Sequence, residues 1–247
     1  MYPVIVQLGH LTIYSYGLML AVAVIVCTFL LSRDARRKGI SPEMVFDLAF
    51  WTVLAGIVGA RLFYIILNWE FFRQNIFEMV MIQKGGLAWQ GGLIFGGLAG
   101  VGFVKRRKLP LLEMLDLAAP YIALGQSIGR IGCFLNGCCY GKEVSWGIFF
   151  LVHHAHLHPT QLYSALGLFV IFVILRYYPK FCSPSQSGAG KGSVFLLYLV
   201  LASAERFGVE FFRGDHQELF LGLSIYQWVC LGFAALAVRG YFLLRKG

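Results

Sequence analysis

The sequence predicts an all-α polytopic membrane protein with about seven transmembrane helices and a small non-cytoplasmic head between spans 4 and 5. Three observations predict it. The first is composition. Of 247 residues, 58% are hydrophobic and 13% charged, against about a quarter charged in soluble domains, and the mean hydropathy is +0.71. One soluble core of this size cannot take up so much apolar side chain, and the same values exclude disorder. The second is the alternation of long apolar runs with short polar connections. The third is where the basic residues fall. The chain has 21 Lys and Arg against 12 Asp and Glu, the balance of a nucleic-acid binder. These residues sit in short loops between spans, so no nucleic-acid partner is expected. Six scattered cysteines in a chain of this length exclude a disulfide scaffold.

A hydrocarbon layer about 30 Å thick takes roughly 20 residues of helix. Seven runs meet that need: 14–32, 46–68, 86–104, 111–134, 161–178, 193–212 and 220–243. Met1–His10 lacks a basic n-region and no small-residue cleavage site follows span 1, so span 1 is expected to be retained. Span 2 carries Arg61. Span 3 contains Gln90-Gly91-Gly92 and a small-xxx-small ladder of Gly92, Gly96 and Gly100, which suits close helix packing. Gly91 and Gly92 beside a polar side chain admit the close approach of a backbone or of an acyl chain. Span 4 holds Asp116, Pro120, Gln126 and Arg130, and is expected to be broken or to line a cavity. Segment 136–160 is the longest non-cytoplasmic connection and reads as a head of turns and short strands within one integral membrane domain, 1–247. Ser183–Gly192 reads as a mobile Ser/Gly/Pro linker.

Orientation follows from the basic residues. Fourteen fall after spans 1, 3, 5 and 7, among them Arg33, Arg36, Arg37 and Lys38, then Lys105, Arg106, Arg107 and Lys108. Four fall on the opposite side: Arg73, Lys84, Lys142 and Arg213. The asymmetry predicts an outside N-terminus and a cytoplasmic C-terminus.

The remaining three, Arg61, Arg130 and Arg206, lie within or at the edge of spans. A charge at the bilayer centre costs about 2.5–3.5 kcal/mol on insertion scales, so such residues face a cavity or hold a partner. For Arg61, a structural ion pair or a snorkelling side chain weighs as heavily as a ligand site. Arg206 and Glu210 share a helix face at i,i+4 spacing, so a structural pair is open there too. Arg130 has no acid nearby in sequence. Two arginines converging in a membrane cavity make a natural site for a lipid phosphate, held by forked, charge-assisted hydrogen bonds.

The segment Gly129-Arg130-Ile131-Gly132-Cys133-Phe134-Leu135-Asn136-Gly137-Cys138-Cys139-Tyr140-Gly141 resembles the signature of the bacterial phosphatidylglycerol–prolipoprotein diacylglyceryl transferase family. Further segments agree in order: Tyr14-Ser15-Tyr16-Gly17, Gly59-Ala60-Arg61, Gly91-Gly92-Leu93-Ile94, Asp116 with Pro120, His158-Pro159-Thr160-Gln161, Arg206-Phe207 with Glu210 to Arg213, and Gln227. The resemblance covers essentially the whole chain. It implies an inner-membrane enzyme that moves the diacylglyceryl group of phosphatidylglycerol onto the lipobox cysteine thiol of a preprolipoprotein signal peptide, releasing glycerol phosphate, with no cofactor or metal. It implies catalytic roles for Arg130, Arg206, Glu210, Gln90 and Tyr16. It implies substrate binding by Arg130, Arg206, Arg61, Gly91, Gly92, Asn136, Gly141 and His158. Four departures stand out, one of them Ala202 where the family commonly has a tyrosine one turn before the span-6 arginine. Gln90 takes the place of the family's histidine and cannot act as a general base. Cys133 and Cys138 take the places of an Asn and a Glu. A non-catalytic or altered-acceptor phospholipid-binding relative is the alternative these departures favour.

Two clusters carry open readings. His153, His154, His156 and His158 suit polar head residues, or a metal site with Cys138 or Cys139, although the spacing matches no zinc pattern. Cys133, Cys138 and Cys139 lie near the oxidising face and suit either free thiols or a disulfide. Cys27, Cys182 and Cys230 read as apolar fillers or free thiols. Trp69, Trp89, Trp146 and Tyr178 read as interfacial anchors.

Overall fold

A computed structural model describes residues 2–8, 11–81, 85–181, 190–214 and 218–246. Seven helices of 18 or more residues lie among them: α1 (Ser15–Arg37), α2 (Pro42–Leu67), α4 (Trp89–Arg106), α5 (Leu111–Asn136), α6 (Thr160–Phe181), α7 (Ser193–Glu210) and α8 (Ile225–Lys246). The short α3 (Trp69–Phe72) and a 3₁₀ turn (Ile76–Val80) follow α2. Four helices, α1, α2, α6 and α8, are long and apolar enough to cross a membrane. The other three are less apolar. Glycines, Lys105 and Arg106 dilute α4, while α5 and α7 carry Glu113, Asp116, Arg130, Glu205, Arg206 and Glu210. The chain is a helical membrane protein.

The all-α expectation is amended by three two-stranded antiparallel hairpins. β1 (Val4–Leu8) pairs with β2 (Leu11–Tyr14), β3 (Glu143–Phe150) with β4 (Ala155–Leu157), and β5 (Glu218–Phe220) with β6 (Leu223–Ser224). The β3–β4 pair falls in the expected head segment. Of the linker at 183–192, residues 183–189 lie outside the described residues.

The chain divides into two compact units, 32–114 and the remainder, 1–31 with 115–247. In the first, α2 and α4 pack through glycines. A Cβ on Gly91 would fall on the Gly59 carbonyl and on Phe63, and a Cβ on Gly59 would fall on Phe95. Gly96 would place one 3.2 Å from the Thr52 carbonyl, whereas Gly92 has ordinary room at 3.5 Å. Lipid offers no hydrophobic drive for helices to associate, so backbone approach of this kind supplies the dispersion contact.

In the second unit, α5, α6 and α7 meet around Ala119, Ala123, Leu168, Ile171, Leu175, Val194 and Tyr198. The expected break in span 4 is corrected: α5 runs unbroken through Pro120. Proline removes one intrahelical donor, and neighbouring elements keep this helix in place. Ser127 donates to the Ala165 carbonyl at 2.7 Å. The Asp116 carboxylate accepts from the Gly192 and Phe195 N–H groups at 2.7 and 2.9 Å. It thus caps the start of α7, where Gly192 has no side chain to do so.

Candidate functional site

The C-terminal end of α5 builds the first half of the site. The Gly137 N–H reaches the Phe134 carbonyl and the Cys138 N–H the Cys133 carbonyl, both at 3.2 Å. With Gly137 at φ +78°, this is the paired 6→1 and 5→2 pattern of a Schellman stop. Cys139 then takes φ +62°, left-handed and without a glycine, at a cost on the order of 1 kcal/mol or more. The surroundings hold it there. Thr160 Oγ1 donates to the Cys139 carbonyl and Gln161 Nε2 to the Cys138 carbonyl, each at 2.7 Å. Gly141 N–H donates to the His158 carbonyl at 3.0 Å, and the Lys142 N–H to the Phe212 carbonyl at 2.9 Å. Gly141 bridges to Arg213, and a Cβ there would strike His158 and the Phe212 carbonyl. The turn after α5 is therefore stitched to the segment after α7.

The turn brings the Cys133, Cys138 and Cys139 sulfurs within 4.8 Å of one another. All three are free thiols. The Asn136 side chain hydrogen-bonds Cys138. Hydrogen bonds from Cys133 and Cys138 hold the Cys139 thiol far below the usual thiol range, aided by the Arg213 and Arg130 guanidiniums and opposed by burial.

The second half is a charge cluster at the end of α7. Glu210 is 1% exposed. Its Oε2 pairs with Arg206 and lies 3.7 Å from Arg213 Nε, and its Oε1 accepts from Ser224 Oγ at 2.9 Å. Ser224 also starts α8. Its hydroxyl accepts from the Gln227 N–H at 3.3 Å, and Gln227 Oε1 accepts from the Ser224 N–H at 2.9 Å. This is a reciprocal S-x-x-Q capping box, so one cap serves both the helix and the carboxylate. Arg206 also lies over the Tyr226 ring, 5.2 Å from its centroid.

Arg130 joins the halves. Its charge acts on Cys139, Glu205, Arg206 and Tyr16. Glu205 hydrogen-bonds Ser164 and packs against Gly167. Tyr16 comes from α1. The Ser15 N–H donates to the Pro3 carbonyl at 3.0 Å and the Tyr2 N–H to the Leu135 carbonyl at 3.1 Å. The N-terminal hairpin thus ties the start of α1 to the end of α5. Gly132 is the point of approach, since a Cβ there would lie 2.9 Å from Met19 and 3.3 Å from the Tyr16 ring.

Of the expected residues, Tyr16, Arg130, Asn136, Gly141, His158, Arg206 and Glu210 all lie in this unit. His158 Nδ1 pairs with the Tyr163 hydroxyl at 3.2 Å, and its ring is edge-on to Trp146 at 4.7 Å. Arg61, Gln90, Gly91 and Gly92 belong to the other unit. There Arg61, 6% exposed, spends its guanidinium on backbone carbonyls. It donates to Met79 at 3.0 Å, Gly85 at 2.6 Å, Gly86 at 3.0 Å, Met81 at 3.3 Å and also Glu78. These bonds organise the loop between α3 and α4. Gln90 is half-buried in the first turn of α4. The space beside Gly91 is taken by the backbone of α2, not left for an acyl chain.

Among the described residues the mixed histidine–cysteine alternative does not form, and the three cysteines take the free-thiol reading. His153 pairs with the Gly137 carbonyl at 3.0 Å and His156 with the Gly147 carbonyl at 2.9 Å. Among the described residues, the group with metal-ligand spacing consists of the three cysteines without a histidine. Sequence reasoning missed Glu205, Arg213 and Cys139 as members of one site and Asp116 as a cap. The proximity of Arg206 hinted at Glu205. The i,i+3 spacing from Glu210 is a local signal for Arg213, whereas nothing local hints at Cys139 as a member or Asp116 as a cap, which depend on chain segments far apart in sequence.

The family description prolipoprotein diacylglyceryl transferase matches residues 3–243. A Clostridium tetani protein named phosphatidylglycerol–prolipoprotein diacylglyceryl transferase is 35% identical over 241 residues, covering 94% of this chain and 93% of the relative. A Thermosynechococcus vestitus protein of the same name is 35% identical over 252 residues, covering 96% and 91%. A Bacillus cereus protein of that name is 34% identical over 256 residues, covering 98% and 92%.

Proposed function

We propose how this chain works from the premise that it belongs to the prolipoprotein diacylglyceryl transferase family. It is a membrane transferase that takes the diacylglyceryl group from phosphatidylglycerol and gives it to the lipobox cysteine of a preprolipoprotein. The acceptor sulfur attacks the glycerol carbon, a C–S bond forms and the C–O bond to phosphate breaks. The electron pair of that bond and the thiol proton end on glycerol phosphate. The phosphate thus changes from a diester to a monoester and carries a second negative charge until that proton reaches it.

The observation that carries the reading is the cluster of Arg130, Arg206 and Arg213 with Glu205 and Glu210. The three guanidiniums supply charge and forked donors that suit a monoanionic phosphodiester. Glu210 anchors Arg206 and Arg213, so their orientation needs no rearrangement as the phosphate gains charge. Arg130 and Arg206 hold the phosphate in forked hydrogen bonds. Tyr16 donates its hydroxyl to the headgroup, while Asn136, Gly141 and His158 shape the turn that carries it. Gln90 orients donor or acceptor through its amide, since it cannot take a proton. We assign Arg61 to loop architecture, where its donors are already engaged. The chain crosses the bacterial inner membrane seven times with its N-terminus outside, which the basic asymmetry supports.

The test is direct. Purified chain, phosphatidylglycerol vesicles and a lipobox peptide should give a peptide heavier by one diacylglyceryl group, with glycerol phosphate released. An unmodified peptide in the presence of folded chain would favour the non-catalytic relative, and undiminished modification by Arg130→Ala would remove Arg130 from the mechanism.

A further inference from the structure

We propose that Cys133, Cys138 and Cys139 form a three-thiolate site for a soft, thiophilic metal ion, with Cu(I) as the ion that fits it. The geometry comes first. Metal–sulfur bonds of about 2.3 Å around a three-coordinate ion set its sulfurs about 4 Å apart. Here all three lie within 4.8 Å of one another, so ligation requires only small side-chain adjustments.

The frame is built to keep them together. Cys133 lies in the last turn of α5, and the Schellman stop at Gly137 folds the chain so that the Cys138 N–H returns to the Cys133 carbonyl. The left-handed Cys139 is held by Thr160 on its own carbonyl and by Gln161 on that of Cys138. Cys133 is 9% exposed and the other two are half-buried. The site is therefore sheltered yet reachable. Asn136, hydrogen-bonded to Cys138, supplies an outer contact that fixes a ligand.

Ligand number and charge select the ion. Among the described residues no histidine or carboxylate completes the group. A structural zinc site takes four protein ligands, whereas soft thiolates alone suit Cu(I). Three thiolates and one monovalent cation carry two negative charges in excess, and the Arg130 and Arg213 guanidiniums act on the cluster from within electrostatic reach. Binding releases the thiol protons to the buffer and involves no electron transfer. Two of the ligands, Cys133 and Cys138, are the positions where the chain departs from the signature it otherwise resembles, which the transfer reaction leaves without a task.

The experiment uses the full chain, reduced and purified in detergent under anaerobic conditions, titrated with Cu(I) held by the chromogenic chelator bicinchoninate. One equivalent of Cu(I) per chain should be withdrawn by the parent and by Cys27→Ser and Cys230→Ser, and lost in Cys133→Ser and Cys138→Ser. X-ray absorption of the loaded parent should show three sulfur neighbours at about 2.3 Å, a readout that does not depend on how the variants fold. No copper withdrawn by the parent, full uptake by Cys138→Ser, or a shell of two sulfurs or of nitrogen would each overturn the site. None of these readings depends on transferase activity.

Discussion

Replacing Glu210 by Gln isolates the charge that organises the arginine cluster. The amide is nearly isosteric and can still accept from Ser224, so what is lost is the negative charge facing Arg206 and Arg213. At an effective dielectric of about 20, unit charges 3.7 Å apart interact by about 4.5 kcal/mol. Desolvation offsets part of this in the parent. In the variant two guanidiniums face each other without their shared counter-ion. Removing one member of a buried pair costs about 3–5 kcal/mol. If half of it falls on the transition state, the rate drops about 30-fold, and if nearly all of it does, about 1000-fold. Initial rates of lipobox-peptide modification, measured in nanodiscs over a range of phosphatidylglycerol contents, give kcat and KM separately. The melting temperature in the same nanodiscs reports the part that falls on the fold. Ser224→Ala is the matched control. It removes one hydrogen bond to Glu210 and one helix cap, together about 1–3 kcal/mol, so it should lower the melting temperature while keeping most of the activity. Parental kcat/KM in a folded Glu210→Gln would refute the idea that this carboxylate preorganises the arginines.

Other expectations separate chemistry from architecture. Arg130→Ala should cost on the order of 100-fold or more in rate with little change in melting temperature. Arg61→Ala should do the reverse, because it orphans five carbonyls at about 1–3 kcal/mol for each one left without water. Thermal melts beside initial rates decide both. Gly91→Ala should unseat α4 from α2 and lower the melting temperature sharply, whereas Gly97→Ala, with nothing within 4 Å of the added carbon, should leave it unchanged or raise it. Gln90→His should be tolerated and Gln90→Leu should lose most activity, and the parent's rate profile should lack a limb near pH 6.5 attributable to position 90; full activity in Gln90→Leu would make the side chain mere packing. Single cysteines at Gly39 and Gly190 should label from the cytoplasm and one at Glu143 from outside, and cytoplasmic labelling at 143 would overturn the orientation.

Much of this protein was legible in one dimension because the signals are local. The seven apolar runs correspond to seven long helices, with ends shifted by a few residues. Length and polarity along a chain suffice to mark where these helices form, and four of them are apolar enough to cross a membrane. The i,i+4 spacing of Arg206 and Glu210 foretold their pair, since helix geometry alone puts them on one face. The S-x-x-Q cap at Ser224 is likewise a matter of neighbouring residues. Pro120 misled because its local meaning is a broken helix, while Asp116, Gly192 and Phe195 meet across 76–79 positions to bind α5 to α7. Arg61 was undecided in sequence because a guanidinium serves a ligand or a carbonyl equally well, and only the fold brings the carbonyls of Glu78, Met79, Met81, Gly85 and Gly86 to it. The same holds for the site. Arg130 acts on Tyr16 because β1 and β2 pin α1 to the end of α5, and Arg213 acts on Cys139 because Gly141 has no side chain to keep the two strands of backbone apart. Apolar content, helix periodicity and caps are properties of residues a few positions apart, so the sequence states them. Which charges share a cavity depends on close approach between distant segments, and that is decided only when glycines, alanines and backbone hydrogen bonds bring the helices together.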